Sequence, residues 1–154
     1  MRYTQSTELA VDSLLFMAAH TERQEFSVEE VARAQGLSST YLAKVFQQLA
    51  KSSLLRSHRG AKGGYSLART TREITLLDIA RVFEGTAPIY TCRAESKLCR
   101  LGNRCLVVST FREAEERLHE VLRGVTLQDL LDRLNGQSQE AGWLDGVAVL
   151  GTAR

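Results

Sequence analysis

The chain has 154 residues, 44% of them hydrophobic and 25% charged, with 20 Lys plus Arg against 18 Asp plus Glu. That length suits one compact domain that buries its own core without disulfide staples, and the composition excludes disordered and collagen-like classes. No apolar run reaches the ~18 residues of a membrane span, and residues 1–6 lack the apolar stretch of a signal peptide, so a cytoplasmic protein with no membrane partner is expected.

In chain order, Leu9, Ala10, Ser13, Leu14, Met17 and Ala18 recur at helical spacing and predict a helix over residues 6–20. Ser27, three residues before Glu30, has the pattern of a capping box and opens a second helix with Val28, Val31 and Ala32, which stops at Gly36. Ser38 or Ser39 then caps a third helix whose apolar face is Leu42, Val45, Phe46 and Leu49. Two helices joined by a short glycine-bearing turn make a helix-turn-helix. Residues 56–67 read as two short strands around glycines, a β-hairpin that forms a wing. Gly63 and Gly64 are taken as turn formers; no Lys-Ser or Lys-Thr pair follows a glycine run, so no phosphate loop is present. Thr75 and Asp78 form another capping box, for a helix ending at Gly85. An irregular stretch starts at Pro88, followed by a long helix over 106–123 with Val107, Phe111, Ala114, Leu118, Val121 and Leu122 on one side. That helix is long enough to pair with another. Thr126 and Asp129 cap a short last helix through Leu134, and residues 135–154, with four glycines, read as a flexible tail in which Trp143 and Leu144 make at most transient contacts. The fold class is therefore mainly α with a small β-hairpin wing. Its segments are a winged helix-turn-helix over 1–88, a cysteine loop over 89–105, and a long pairing helix with a short last helix over 106–134.

The small net charge of +2 conceals a strong polarity. Residues 34–72 hold seven basic side chains and no carboxylate, whereas residues 106–140 carry a net charge of −3. A carboxylate-free segment that covers the second helix of the motif and the wing suits a phosphate backbone. The first residues of that helix face base edges when it enters a major groove, which nominates Ser39, Thr40, Tyr41, Ala43 and Lys44. Tyr41 also fits the apolar spacing and has a second reading as a core contact. Arg59 suits minor-groove or phosphate contact, and Lys62 a phosphate. Of the three histidines, His58 in the wing is expected to face solvent or DNA, and His20 and His119 read as ordinary surface residues.

Cys92, Cys99 and Cys105 form a C-x6-C-x5-C pattern and are the only cysteines of the chain. Thiolates are soft ligands that favour zinc or iron–sulfur clusters, but the paired C-x2-C knuckles of structural zinc are absent. Neighbouring basic side chains would stabilise a bound anionic cluster and would equally activate a thiol. A metal or cluster site, a thiol redox switch and structural cysteines all remain open on spacing alone. Glu8, early in the first helix, reads by itself as helix-dipole or surface chemistry.

Taken together, residues 1–4 (Met-Arg-Tyr-Thr), 36–42 (Gly-Leu-Ser-Ser-Thr-Tyr-Leu), 59–67 (Arg-Gly-Ala-Lys-Gly-Gly-Tyr-Ser-Leu) and the three cysteines before a long helix resemble the iron–sulfur winged-helix repressors of the IscR/NsrR/RirA type, over about residues 1–134. The resemblance implies a homodimer held by the long helix and bound to a palindromic operator in promoter DNA. It implies that Cys92, Cys99 and Cys105 hold an iron–sulfur cluster, 4Fe-4S or 2Fe-2S, that senses nitric oxide, redox state or iron supply. No histidine follows the third cysteine, where some relatives have one. NsrR-like members use an N-terminal acidic residue from the other subunit, and Glu8 matches that position, which makes it the fourth ligand by resemblance. The chain departs from the family pattern at Ala61-Lys62, where Pro-Gly is common, at Ala43, where IscR-like proteins have Glu, and in its longer first cysteine gap. The alternatives are a cluster-free regulator switched by thiol oxidation and an iron–sulfur electron carrier or enzyme subunit. No catalytic constellation accompanies these motifs, and no enzyme is expected.

Overall fold

The computed structural model describes residues 3–20, 22–60, 63–92 and 105–135. Of the tail expected over 135–154, Asn135 instead closes the last helix, and residues 136–154, with Trp143 and Leu144, lie outside the described residues. The elements are α1 (Gln5–Ala19), α2 (Val28–Gln35), α3 (Ser39–Lys51), β1 (Leu55–His58), β2 (Gly64–Leu67), α4 (Leu76–Glu84), α5 (Leu106–Arg123) and α6 (Leu127–Asn135). The two strands pair antiparallel, with Leu55 opposite Leu67 and His58 opposite Gly64. This is a helix-turn-helix followed by its wing, as the residue pattern predicts.

α1 is the centre of the domain. Its spacing predicts one apolar stripe, but Leu15 and Phe16 are buried as well as Leu9, Ala10, Leu14, Met17 and Ala18. The reason is tertiary: α3, α4, α6 and β2 pack around it, and over its middle turns only Val11 and Asp12 keep a half-buried face toward solvent. Leu127 and Leu131 of α6 join the same core as Leu14, Phe46 and Ile79. Burial of each such large side chain contributes roughly 1.5–3 kcal/mol.

The helix ends follow local chemistry. Gly36 takes the left-handed conformation (φ 66°), and the Leu37 and Gly36 amides donate to Ala32 O at 2.8 Å and Arg33 O at 3.3 Å, closing α2 in a Schellman motif. The same arrangement ends α3, where Leu54 N donates to Leu49 O at 2.9 Å and Ser53 N to Ala50 O at 3.1 Å. Here a serine, Ser53, holds the left-handed position (φ 57°), so no glycine advertises this stop. The capping boxes at Thr75–Asp78 and Thr126–Asp129 form in both directions. The one at Ser27 forms in one direction only. Ser27 Oγ accepts from Glu30 N at 3.2 Å, but the Glu30 carboxylate pairs with Arg23 instead, whose hydrogen bonds hold it below the usual carboxylate pKa.

The wing glycines differ from the sequence expectation. Gly60 (φ 138°) provides the positive φ, and Gly63 N donates to its carbonyl at 2.9 Å. Gly64 lies inside β2, not in the turn. Its backbone passes so close to Phe26 that an added Cβ would sit 2.7 Å from Phe26 O. The adjacent Tyr65 exchanges both backbone hydrogen bonds with Phe26, at 2.8 and 2.9 Å. Gly64→Ala is therefore expected to destabilise the domain by about 1–3 kcal/mol, because the neighbour is backbone and cannot swing aside. Chemical denaturation that shows no loss of stability for this variant would contradict that packing.

Candidate nucleic-acid interface and cysteine site

α3 buries Leu42, Val45, Phe46 and Leu49 and exposes Ser39, Thr40, Lys44, Gln47 and Lys51. The exposed residues 40, 44, 47 and 51 recur at helical spacing and make one polar, basic row. Gln47 was not singled out from the sequence. It stands three residues after Lys44 on the exposed face, and its amide can donate and accept at once. Ala43 is half-buried.

Tyr41 is 38% exposed, and its hydroxyl lies 2.8 Å from Ser6 Oγ on α1. Neither simple expectation describes it: the ring is not core, and its oxygen already has a protein partner.

The wing is locked to α3. The Phe46 and Tyr65 rings meet edge to face with centroids 5.2 Å apart. Arg56 and Arg59 are exposed on the wing. Lys62, with Ala61, lies outside the described residues. His58 does not simply face outward. It is half-buried, with Nδ1 3.3 Å from Glu25 Oε1 and Nε2 2.8 Å from Ser66 Oγ, so its ring ties both wing strands to the loop before α2.

α5 is built differently from the other helices. It packs on α4, yet none of its residues is buried. Val107, Phe111 and Val121 are 51%, 42% and 65% exposed, on the side that also carries Ala114 and Leu118. These five residues form an apolar stripe along the helix that, among the described residues, is covered only at Phe111, by the Tyr90 ring. The rest of its surface is charged, with ion pairs such as Arg117–Glu113 at 2.7 Å.

Two of the three cysteines fall in the described residues, and Cys99 lies outside them. Cys105 is the N-cap of α5, half-buried, and its side chain makes no capping bond. A thiolate there faces the positive end of an 18-residue helix. Cys92 is exposed, and the segment before it is fastened to the same helix. Tyr90 stacks on Phe111 at 4.5 Å and 10°, and Ile89 N donates to Glu115 Oε1 at 3.2 Å. Both ends of the cysteine loop are thus held by α5. Among the described residues no group of three or more His, Cys, Asp and Glu side chains is placed to hold a metal ion; Cys92 and Cys105 are both thiols that could serve as soft ligands.

Glu8 is exposed and borders a groove of about 480 Å³ lined by Tyr3, Thr4, Val11, Leu76, Ala80 and Leu122. Asp12, one turn along, also lines it, and burial together with the Glu8 charge pushes its pKa up. Leu122 is near the far end of α5 from Cys105, a separation of about 25 Å at the helical rise. Within one chain, Glu8 and Cys105 therefore belong to opposite ends of α5.

The chain matches the Rrf2 family, described as iron-dependent transcriptional regulators, over residues 3–133. It is 36% identical over 132 residues to the protein aau3 of Rhizobium meliloti, covering 85% of each chain. Its structure is similar to that of T. potens IscR, with a TM-score of 0.70, 30% identity and coverage of 92% of this chain and 93% of that one. It is also similar to CymR, the global cysteine regulator of B. subtilis, with a TM-score of 0.66, 27% identity and coverage of 86% and 98%. A recognition helix clamped to its wing, a loop of cysteines on a long helix, and a match that runs through both lead to one assignment: the chain belongs to the Rrf2 family of winged-helix transcriptional regulators and is not an enzyme.

Proposed function

We infer that this regulator works as a homodimer whose affinity for a palindromic operator is set by an iron–sulfur cluster. The cluster would be held by Cys92, Cys99 and Cys105, with the partner's Glu8 as fourth ligand. The observation that carries the reading is the construction of α5: an apolar stripe left largely exposed among the described residues, along a helix whose N-cap is Cys105. A second copy covering that stripe removes its apolar area from water. A ligand from the second copy also suits Glu8, which lines a groove with Leu122, a residue about 25 Å along α5 from the Cys105 of its own chain. A carboxylate is a hard ligand for iron and makes a weaker, exchangeable bond beside three thiolates. A cluster bound there would supply a redox-active centre sensitive to nitric oxide, oxidants or iron supply.

On the DNA side, Ser39, Thr40, Lys44 and Gln47 present hydroxyl, ammonium and amide groups to the major groove, while Arg59 and Lys62 reach the backbone or minor groove from the wing. The Phe46–Tyr65 contact fixes the distance between these two sets.

Lys44→Ala and Arg59→Ala are each expected to weaken operator binding about tenfold and to lower the salt slope of binding by about one. Fluorescence anisotropy across a salt series tests this, and unchanged affinity in both variants would remove the assigned interface. Val121→Asp is expected to shift sedimentation from dimer to monomer at micromolar concentration; a persistent dimer would place the interface elsewhere.

Anaerobically reconstituted protein is expected to bind iron and sulfide and to absorb in the visible. Any one of Cys92→Ala, Cys99→Ala and Cys105→Ala should abolish that uptake, and Glu8→Ala should alter the spectrum. Iron-free protein whose DNA binding still responds reversibly to thiol oxidation would establish the thiol-switch alternative instead.

A further inference from the structure

The first turn of α1 is tied to two other elements. Glu84, at the C-terminal end of α4, accepts from Thr4 N at 2.8 Å, from Thr4 Oγ1 at 2.9 Å and from the buried Thr7 hydroxyl. These bonds hold its carboxyl below the usual pKa range, the Thr7 hydroxyl being the largest cause. On its other side the same turn reaches α3, where Ser6 Oγ lies 2.8 Å from Tyr41 Oη. Glu8 is the next exposed residue along.

The first turn of α3 is held on its inner side by Leu42 in the core, while its outer side lacks a capping bond. Ser38 is its N-cap but makes no side-chain capping bond. Among the described residues, Tyr41–Ser6 is the side-chain hydrogen bond that joins this turn to another element. The bond lies at the exposed side of the helix pair, with Tyr41 38% exposed.

We propose that the Ser6–Tyr41 hydrogen bond is the link by which the first turn of α1, and Glu8 on it, sets the position of the DNA-reading end of α3. Tyr41 is then a positioning residue and not a reader of bases. The regulatory half of this inference rests on the proposed role of Glu8. A hydrogen bond of normal length is lost when its partners separate by about 1 Å. A pull on Glu8 that shifts the first turn by that amount breaks the tie to α3. Two states that differ in this bond differ in how Ser39, Thr40 and Lys44 are presented, which gives the differential DNA affinity a switch requires.

The test compares full-length wild-type protein with Tyr41→Phe, Ser6→Ala, the double variant and Ser6→Thr. Each is measured with the iron–sulfur cluster reconstituted and again after a chelator has stripped it. The probe is a fluorescent duplex enriched by the wild-type protein from a random-sequence pool. Tyr41→Phe and Ser6→Ala are each expected to weaken binding of the tighter form about fivefold, the double variant no further, and Ser6→Thr to restore it. In Ser6→Ala the affinity ratio between reconstituted and stripped protein should fall towards one, with visible absorption and Tm unchanged. Loss of affinity in Tyr41→Phe but not in Ser6→Ala would mean that Tyr41 Oη touches DNA itself, and the proposal would fall. Additive effects of the two changes, or an unchanged ratio in both, would overturn it too. Wild-type protein that takes up no iron, or whose two forms bind the duplex equally, overturns the cluster reading and the link with it. A responsive wild type with unaffected variants overturns the link alone.

Discussion

The proposed DNA-facing surface depends on how Tyr65 is held. Its backbone exchanges two hydrogen bonds with Phe26, and its ring packs edge to face on Phe46. One residue thereby joins the wing, the loop before α2 and the middle of α3. Gly64 is required beside it because the Phe26 backbone leaves no room for a Cβ. His58 adds a second tie, bridging Glu25 and Ser66 across the base of the hairpin. A wing of two four-residue strands has too little surface to stay ordered alone, so its orientation is inherited from these contacts.

α1 performs two tasks that pull in different directions. Its middle turns are enclosed by α3, α4, α6 and β2 and form the rigid axis of the core. Its first turn is held by hydroxyl groups: Thr4 and Thr7 on Glu84, and Ser6 on Tyr41. Such bonds contribute about 1 kcal/mol each near the surface, far less than the apolar burial below them. The helix is therefore stiff along its length and weakly tethered at the end that carries Glu8. In the proposed regulator that combination lets a change at Glu8 move one turn without disturbing the core.

α5 follows another logic. Its apolar residues never enter the core of their own chain, and its outer surface is charged. It anchors the cysteine segment at Tyr90 and Ile89 and ends in Cys105. Along the sequence, α3 and the wing carry no carboxylate, whereas residues 106–140 carry a net charge of −3.

Much of the fold was legible from residue order. Gly36, Thr75–Asp78 and Thr126–Asp129 mark helix ends through local hydrogen bonds, and local chemistry needs no tertiary partner. The wing followed from its glycines, although the reason for Gly64 did not, because Phe26 is distant in sequence. The stop of α3 was hidden, since Ser53 takes a left-handed conformation that serine does not signal. At the candidate site, the sequence by itself determined the residue types: a carboxylate-free stretch with Lys44 and Arg59, three cysteines before a long helix, and a carboxylate at Glu8. Tertiary structure alone decided their partners. It gave the Tyr41 hydroxyl to Ser6, held His58 between Glu25 and Ser66, and put Glu8 and Cys105 at opposite ends of α5. Caps and periodicity act within a few residues and can be read in order. Contacts between distant residues such as Ser6–Tyr41 and Glu25–His58 depend on how the elements pack, and packing is settled only when the whole core closes.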